Sequence, residues 1–275
     1  MKKKRVLFIS QEIAPFLPET ELSLAARKLP QGVQELGKEI RTFMPRFGCI
    51  NERRHQLHEV IRLSGMNMII NDSDHPLIIK VASIQSARMQ VYFIDNEDYF
   101  QKKCLYTDEK GQFLQDNDER AIFFCRGVLE TVKKLGWTPD VIHCLGWMSS
   151  LIPMYVKTSY KDDPIFSNTK VVYSVYNNSF KEALNTKFAK KAMMDANTKD
   201  ELKAYEKPTF VSLNKAAMQW ADGVIKGSAD IDEELEKYMK QLQVPVLKYQ
   251  PEDSFVQRYS EFYDEVLLEE EVLAE

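Results

Sequence analysis

Few residues of this chain could react, and several could hold a polar ligand. His143 lies in the apolar run Val141-Ile-His-Cys144, and Trp147 follows after Leu145-Gly146. An imidazole near a strand end can exchange hydrogen bonds with a hydroxyl, and an indole can stack on the apolar face of a sugar ring. Each has a structural alternative, a hydrogen-bonded core histidine and a tryptophan packed at a helix start, and the sequence leaves both open. Asp95, Asn96, Asp116, Asn117 and Arg120 could reach a polar ligand. Asp and Asn are equally turn residues, and Asp118 is placed to cap a helix. Lys187, Lys190 and Lys191 could contact an acidic partner or simply stand solvated.

Other chemistries are disfavoured. His55 and His58 sit one helical turn apart, but no carboxylate or cysteine motif completes a metal set. Cys49, Cys104, Cys125 and Cys144 contain no Cys-x-x-Cys pair, so buried thiols are expected rather than zinc or a disulfide framework. Neither a metal nor another cofactor is expected. Residues 251 to 275 hold nine acids against Arg258, leaving 36 bases and 32 acids in the other 250 residues. That small excess, without basic patches interleaved with aromatics, points away from nucleic acid. No apolar run approaches the roughly 20 residues that span a bilayer, and Val6 to Ile9 is too short for a signal-peptide core. The expectation is a cytoplasmic protein that does not engage membrane.

The 275 residues, 44% apolar and 28% charged, suit one large globular domain or two small ones. Arg5 to Ser10 reads as a buried parallel strand, residues 21 to 36 as an amphipathic helix kinked at Pro30 and ended by Gly37, and Glu39 to Met44 as a second strand. Residues 57 to 95 read as an irregular strand-rich insertion, including Met68 to Ile70, Leu77 to Val81 and Met89 to Ile94. A helix over 118 to 135, strands at Val141 to Cys144 and Lys170 to Val175, and a helix over 149 to 160 between them continue the alternation. The polar stretch 181 to 207 reads as a mobile helix or loop, followed by a helix over 210 to 220 and a strand over 223 to 226. This order gives an α/β, doubly wound, mostly parallel sheet.

Phe8-Ile-Ser-Gln-Glu-Ile-Ala-Pro-Phe16, Val91-Tyr-Phe-Ile-Asp-Asn-Glu-Asp-Tyr-Phe100, Leu135-Gly-Trp-Thr-Pro-Asp-Val-Ile-His-Cys144 and Trp147 to Thr158 follow one another in an order and spacing that resemble the starch synthase catalytic domain. That domain is the N-terminal lobe of bacterial glycogen and starch synthases, which have the two-lobed GT-B fold. The resemblance covers roughly residues 4 to 230. It implies a Rossmann-like lobe, a sugar nucleotide and an α-glucan as ligands, and a cleft that includes Glu12, Asp95, Asn96, Asp116, Asn117, Arg120, His143, Trp147, Asn177 and Lys215.

Three stretches depart from the family pattern. The family's first strand leads into Lys-Thr-Gly-Gly-Leu, whose lysine and amides face the donor phosphates at a helix N-terminus. The corresponding run is Pro18-Glu-Thr-Glu-Leu22, which replaces the lysine by proline and adds two negative charges. His143-Cys-Leu-Gly-Trp147 stands where the family has His-x-His-Asp-Trp or His-x-Asn-Asp-Trp, so Leu145 and Gly146 replace the polar pair beside the transferred glucose. Tyr176-Asn-Asn-Ser179 stands where the family shows His-Asn-Leu, and only Asn177 is retained. Departures confined to the site suggest redirected or relaxed function.

The resemblance also implies a second lobe, for which 275 residues leave no room. Tyr259-x-x-Phe-Tyr263-x-x-Val-Leu267 is similar to the family's terminal helix, which packs back on the N-terminal lobe. An internal deletion that kept this helix accounts for both observations. The expected division is a lobe over 1–243, then a linker and returning amphipathic helix over 244–275, with Glu269 to Glu271 as a solubilising end. Phe255, Tyr259, Phe262, Tyr263, Val266 and Leu267 would cover an apolar patch.

Two functions follow. The first is a catalytically degenerate single lobe that binds or regulates, on glucan, a protein partner or a second copy of itself. The alternative is a glycosyltransferase component moving glucose from ADP-glucose or UDP-glucose to an α-1,4-glucan primer.

Overall fold

The computed structural model describes residues 3–273, and side chains as far as Leu268. Apolar runs become the central strands. β1 (Arg5–Ser10) is buried from Val6 onward and pairs in parallel with β2 (Glu39–Pro45) on one side. Between them α1 (Glu21–Glu35) starts at a capping box in which Thr20 and Ser23 satisfy each other's backbone, and it runs through Pro30. The short α2 (Glu52–His55) and β3 (His58–Glu59) lead into β4 (Met66–Ile70), β5 (Ser73–Ile84) and β6 (Met89–Asp95). β6 joins β2 in parallel, while β5 returns antiparallel along β6.

The second half repeats the alternation. α3 (Glu97–Phe100) and α4 (Asn117–Leu135) precede β7 (Val141–Leu145), α5 (Ile152–Lys157), β8 (Lys170–Val175), α6 (Phe188–Ala192), α7 (Lys199–Leu202), α8 (Phe210–Trp220), β9 (Gly223–Lys226), α9 (Glu233–Met239), β10 (Val246–Leu247) and α10 (Phe255–Leu273). The strand order is β10-β9-β8-β7-β1-β2-β6-β5-β3, parallel from β10 to β6, with β4 paired to β5. The order turns outward in both directions from β1 and β7, so right-handed crossovers place α1 on one face and α4, α5 and α8 on the other. Contacts follow this division, with α1 against α10 and α5 against α8.

α10 lies over the sheet. Phe255, Tyr259, Phe262, Tyr263 and Val266 are buried. A side chain at Gly223 would come within 2.8 Å of Val266 and 3.1 Å of Phe262, so the bare backbone of β9 lets the helix approach. Lys38 reaches across from the end of α1 to the Ser260 hydroxyl at 2.8 Å and Asp264 at 2.9 Å. The side chains of Glu269 to Glu271 lie outside the described residues.

Two expectations change. Residues 149 to 160 form a 3-10 turn over Trp147–Ser149 and then the shorter α5, rather than one helix. Residues 181 to 207 are not a loose segment: Phe188 and Tyr205 are fully buried, the Tyr155 hydroxyl donates to the Ala192 carbonyl at 2.7 Å, and that of Tyr205 donates to the Ser150 carbonyl at 3.0 Å. Lys191 pairs with Asp118 at 2.6 Å and Glu119 at 2.7 Å, so the acidic partner of this lysine belongs to the same chain.

Candidate functional site

In an open α/β sheet the crevice lies beyond the carboxyl ends of the strands where the order reverses, here between β1 and β7. Gln11 and Glu12 leave β1, and Gly146 and Trp147 leave β7. Gln11 fills the gap. Its Oε1 accepts from the Met148 amide at 3.1 Å, and its Nε2 donates to the Tyr106 hydroxyl at 2.7 Å. Gly146 has φ +88°, and a Cβ there would collide with the Gln11 carboxamide. The space beside Leu145 and Gly146 is therefore occupied by the protein's own amide.

Glu12 is buried beside Gln11. One oxygen accepts from the Tyr106 hydroxyl at 3.1 Å and the other from that of Thr20 at 2.9 Å. Burial and the Glu12 charge push the Tyr106 phenol well above its ordinary range, which keeps it a donor. Thr20 thus performs two tasks, since its oxygen also accepts from the Ser23 amide at the start of α1. Glu21 opens that helix with its carboxylate held by the Ser228 hydroxyl at 2.5 Å, and Ser228 accepts from the Asn177 amide at 2.9 Å. An acidic first turn suits the helix dipole and opposes an incoming anion.

Glu12, Thr20, Glu21, Leu22, Tyr176, Asn177 and Asn178 enclose a cavity of about 210 Å³. Of the sequence-based candidates, the structure brings Glu12 and Asn177 together here. The others lie elsewhere. His143 is completely enclosed, with Nε2 2.6 Å from the Ser174 hydroxyl and Nδ1 2.7 Å from that of Tyr263 on α10. Burial lowers its pKa to about 3, so it is a neutral imidazole between two hydroxyls. Trp147 is 1% exposed and covered by the rings of Tyr106 at 5.3 Å and Phe180 at 4.9 Å, which leaves its face closed to a sugar.

Asp95 pairs with Arg46 at 3.2 Å and Lys80 at 3.0 Å, while Asn96 caps α3 and donates to the Pro76 carbonyl. Asp116 pairs with Lys102 at 2.6 Å. Asn117 donates to the Tyr106 carbonyl and accepts from Arg120, whose guanidinium also holds the Tyr99 and Leu105 carbonyls. These side chains brace the loop that delivers Tyr106. Lys215 pairs with Glu234 at 2.9 Å and lies over Tyr238. Among the described residues no group of three or more His, Cys, Asp or Glu side chains is placed to hold a metal, and no helix is long and apolar enough to cross a membrane.

Residue-type reasoning missed Gln11, Thr20, Tyr106 and Ser228. Gln11 and Ser228 had a signal, since each follows the end of a parallel strand. Tyr106 had none, because its loop lies 94 residues from Glu12.

Comparison with known proteins adds the lineage. The family model described as the starch synthase catalytic domain matches residues 5–244. A glycogen synthase of Chlorobium limicola is 41% identical over 174 residues, 63% of this chain and 36% of that protein. One of Chlorobium phaeovibrioides is 38% identical over 192 residues, 70% of this chain and 39% of that protein. Among solved structures, the catalytic domain of starch synthase IV from Arabidopsis thaliana bound to ADP and acarbose matches with a TM-score of 0.71 at 16% identity, covering 92% of this chain and 53% of that one. The last match concerns the fold alone. The chain spans little more than a third of the length of these curated relatives.

Proposed function

The chain belongs to the starch synthase catalytic domain family, and we propose that it is a glycogen-synthase-like lobe that acts by binding or regulation, on glucan or a protein partner, rather than by transferring glucose on its own. The observation that carries this reading is Glu21, a carboxylate fixed by Ser228 at the first turn of α1. Transfer from a sugar nucleotide develops negative charge on a diphosphate, and catalysis needs preorganised positive groups there. This position offers the opposite sign. The cap of α1 is already filled by Thr20 and Ser23, and Leu145 has no polar group to offer a transferred sugar.

A second reading, a glycosyltransferase component moving glucose from ADP-glucose or UDP-glucose to an α-1,4-glucan, is favoured by the roughly 40% identity to glycogen synthases and by Glu12 and Asn177 at one cavity. Electrophoresis through gels containing glycogen, run beside an assay of nucleotide release from both donors with glycogen as primer, separates the two. Retardation without release is the result expected. Release that scales with enzyme concentration and is lost in Glu12→Gln replaces the first reading by the second.

A further inference from the structure

We infer that the cleft between α1, the ends of β8 and β9, and the approach to α10 is a binding site for a small organic ammonium ion carrying N–H donors. It has a volume of about 250 Å³ and is lined by Glu21, Glu252, Tyr176, Tyr249, Phe255 and Tyr259. It adjoins the 210 Å³ cavity through Glu21 and Tyr176, which line both. Its lining is rich in aromatic rings, whose faces attract a cation, and Glu21 supplies the charge.

The charge balance has one direction. Lys28, the cation among the described lining residues, is paired with Glu252. Among the described residues, the side-chain partner of Glu21 is the neutral Ser228 hydroxyl, and those of Glu12 in the adjoining cavity are the neutral hydroxyls of Thr20 and Tyr106. A second observation is independent of charge. Tyr176 is 2% exposed, and its hydroxyl lies beside that of Tyr259 without a well-formed hydrogen bond. Both polar atoms of the Asn178 carboxamide are also buried without partners among the described residues. Asn178 lines the adjoining cavity, and buried polar groups of folded proteins are generally satisfied, so a ligand that donates to Tyr176 Oη in the cleft and extends to Asn178 Oδ1 beyond it removes an outstanding cost. An ammonium group at Tyr176 shares the cleft with Glu21.

The inference rests on the reading that this end of α1 does not receive donor phosphates. Its test is calorimetric titration of the full chain with putrescine at low ionic strength, repeated with ADP-glucose. Saturable putrescine binding is expected, weakened about tenfold in Glu21→Gln, the loss of one charge contact to a partly desolvated cation. Tyr249→Ala, at a residue 38% exposed, should weaken it several-fold with the melting temperature unchanged. No putrescine binding, or binding that Glu21→Gln leaves intact, overturns the inference and leaves the reading of the donor site standing. Saturable ADP-glucose binding that Glu21→Gln strengthens overturns both.

Discussion

The floor of the lobe and its mouth are built from the same strands and have opposite character. On the floor, β7 and β8 place His143 and Ser174 beneath α10, and Tyr263 completes a closed set in which each ring nitrogen has a hydroxyl. At the mouth, a few residues further along the same strands, Leu145 and Gly146 lie beneath Gln11, Glu21 points a charge outward, and Tyr176 and Asn178 keep polar atoms without partners. The stretches that the sequence resemblance marks as departing from the family pattern, residues 18 to 21, 145 to 146 and 176 to 179, all fall at the mouth. The proposed reading accounts for this contrast by a kept scaffold and a redirected donor site.

Truncating the floor should break it outright. Phe262→Ala removes a buried ring from the seam between α10 and β9 and is expected to cost about 3–5 kcal/mol, read from urea unfolding. A loss below about 1 kcal/mol would mean that α10 only rests on the sheet. At the mouth, Gly146→Ala should cost about 1–3 kcal/mol, because the residue has φ +88° and its new methyl meets Gln11. Adding Gln11→Ala should recover the steric part of that loss, and strictly additive effects would contradict the packing described.

The floor also has an acid signature. His143 has a folded pKa of about 3 against an ordinary 6.5, so below pH 6.5 the unfolded chain takes up a proton that the folded chain refuses. Its contribution is fully present above pH 6.5 and is lost as pH falls toward 3, by about 1 kcal/mol per pH unit. His143→Gln should flatten that part of the stability profile. Equal slopes in the two proteins would place the acid sensitivity elsewhere. The smallest effect belongs to the mouth. Glu21→Gln forfeits a favourable charge at the helix start and should lower stability by about 0.3–1 kcal/mol. A thermal melt at matched salt measures it.

Much of this contrast can be read from the sequence. The runs at Val6 to Ser10, Val141 to Leu145 and Lys170 to Val175 announce buried parallel strands, and the spacing of Phe255, Tyr259, Phe262 and Val266 announces the face that α10 buries. The short helices between 181 and 207 were hidden because they are stabilised by Phe188 and Tyr205 inserting into the core rather than by periodicity. The site was half legible. Glu12 and Asn177 follow strand ends, as a crevice requires, and Glu21 declares its sign. The enclosure of His143 depends on a tyrosine 120 residues away, and the closing of the crevice depends on Tyr106 from a loop without local pattern. Long-range pairings of that kind leave no spacing to read.

The central claim is that the start of α1 repels the ligand its family position would receive. It is tested most directly by titrating ADP-glucose into the purified chain in a calorimeter at low and physiological salt. The account predicts no saturable heat at either. Saturable binding, strongest at low salt, would mean that an anion is attracted to this lobe and would contradict the account.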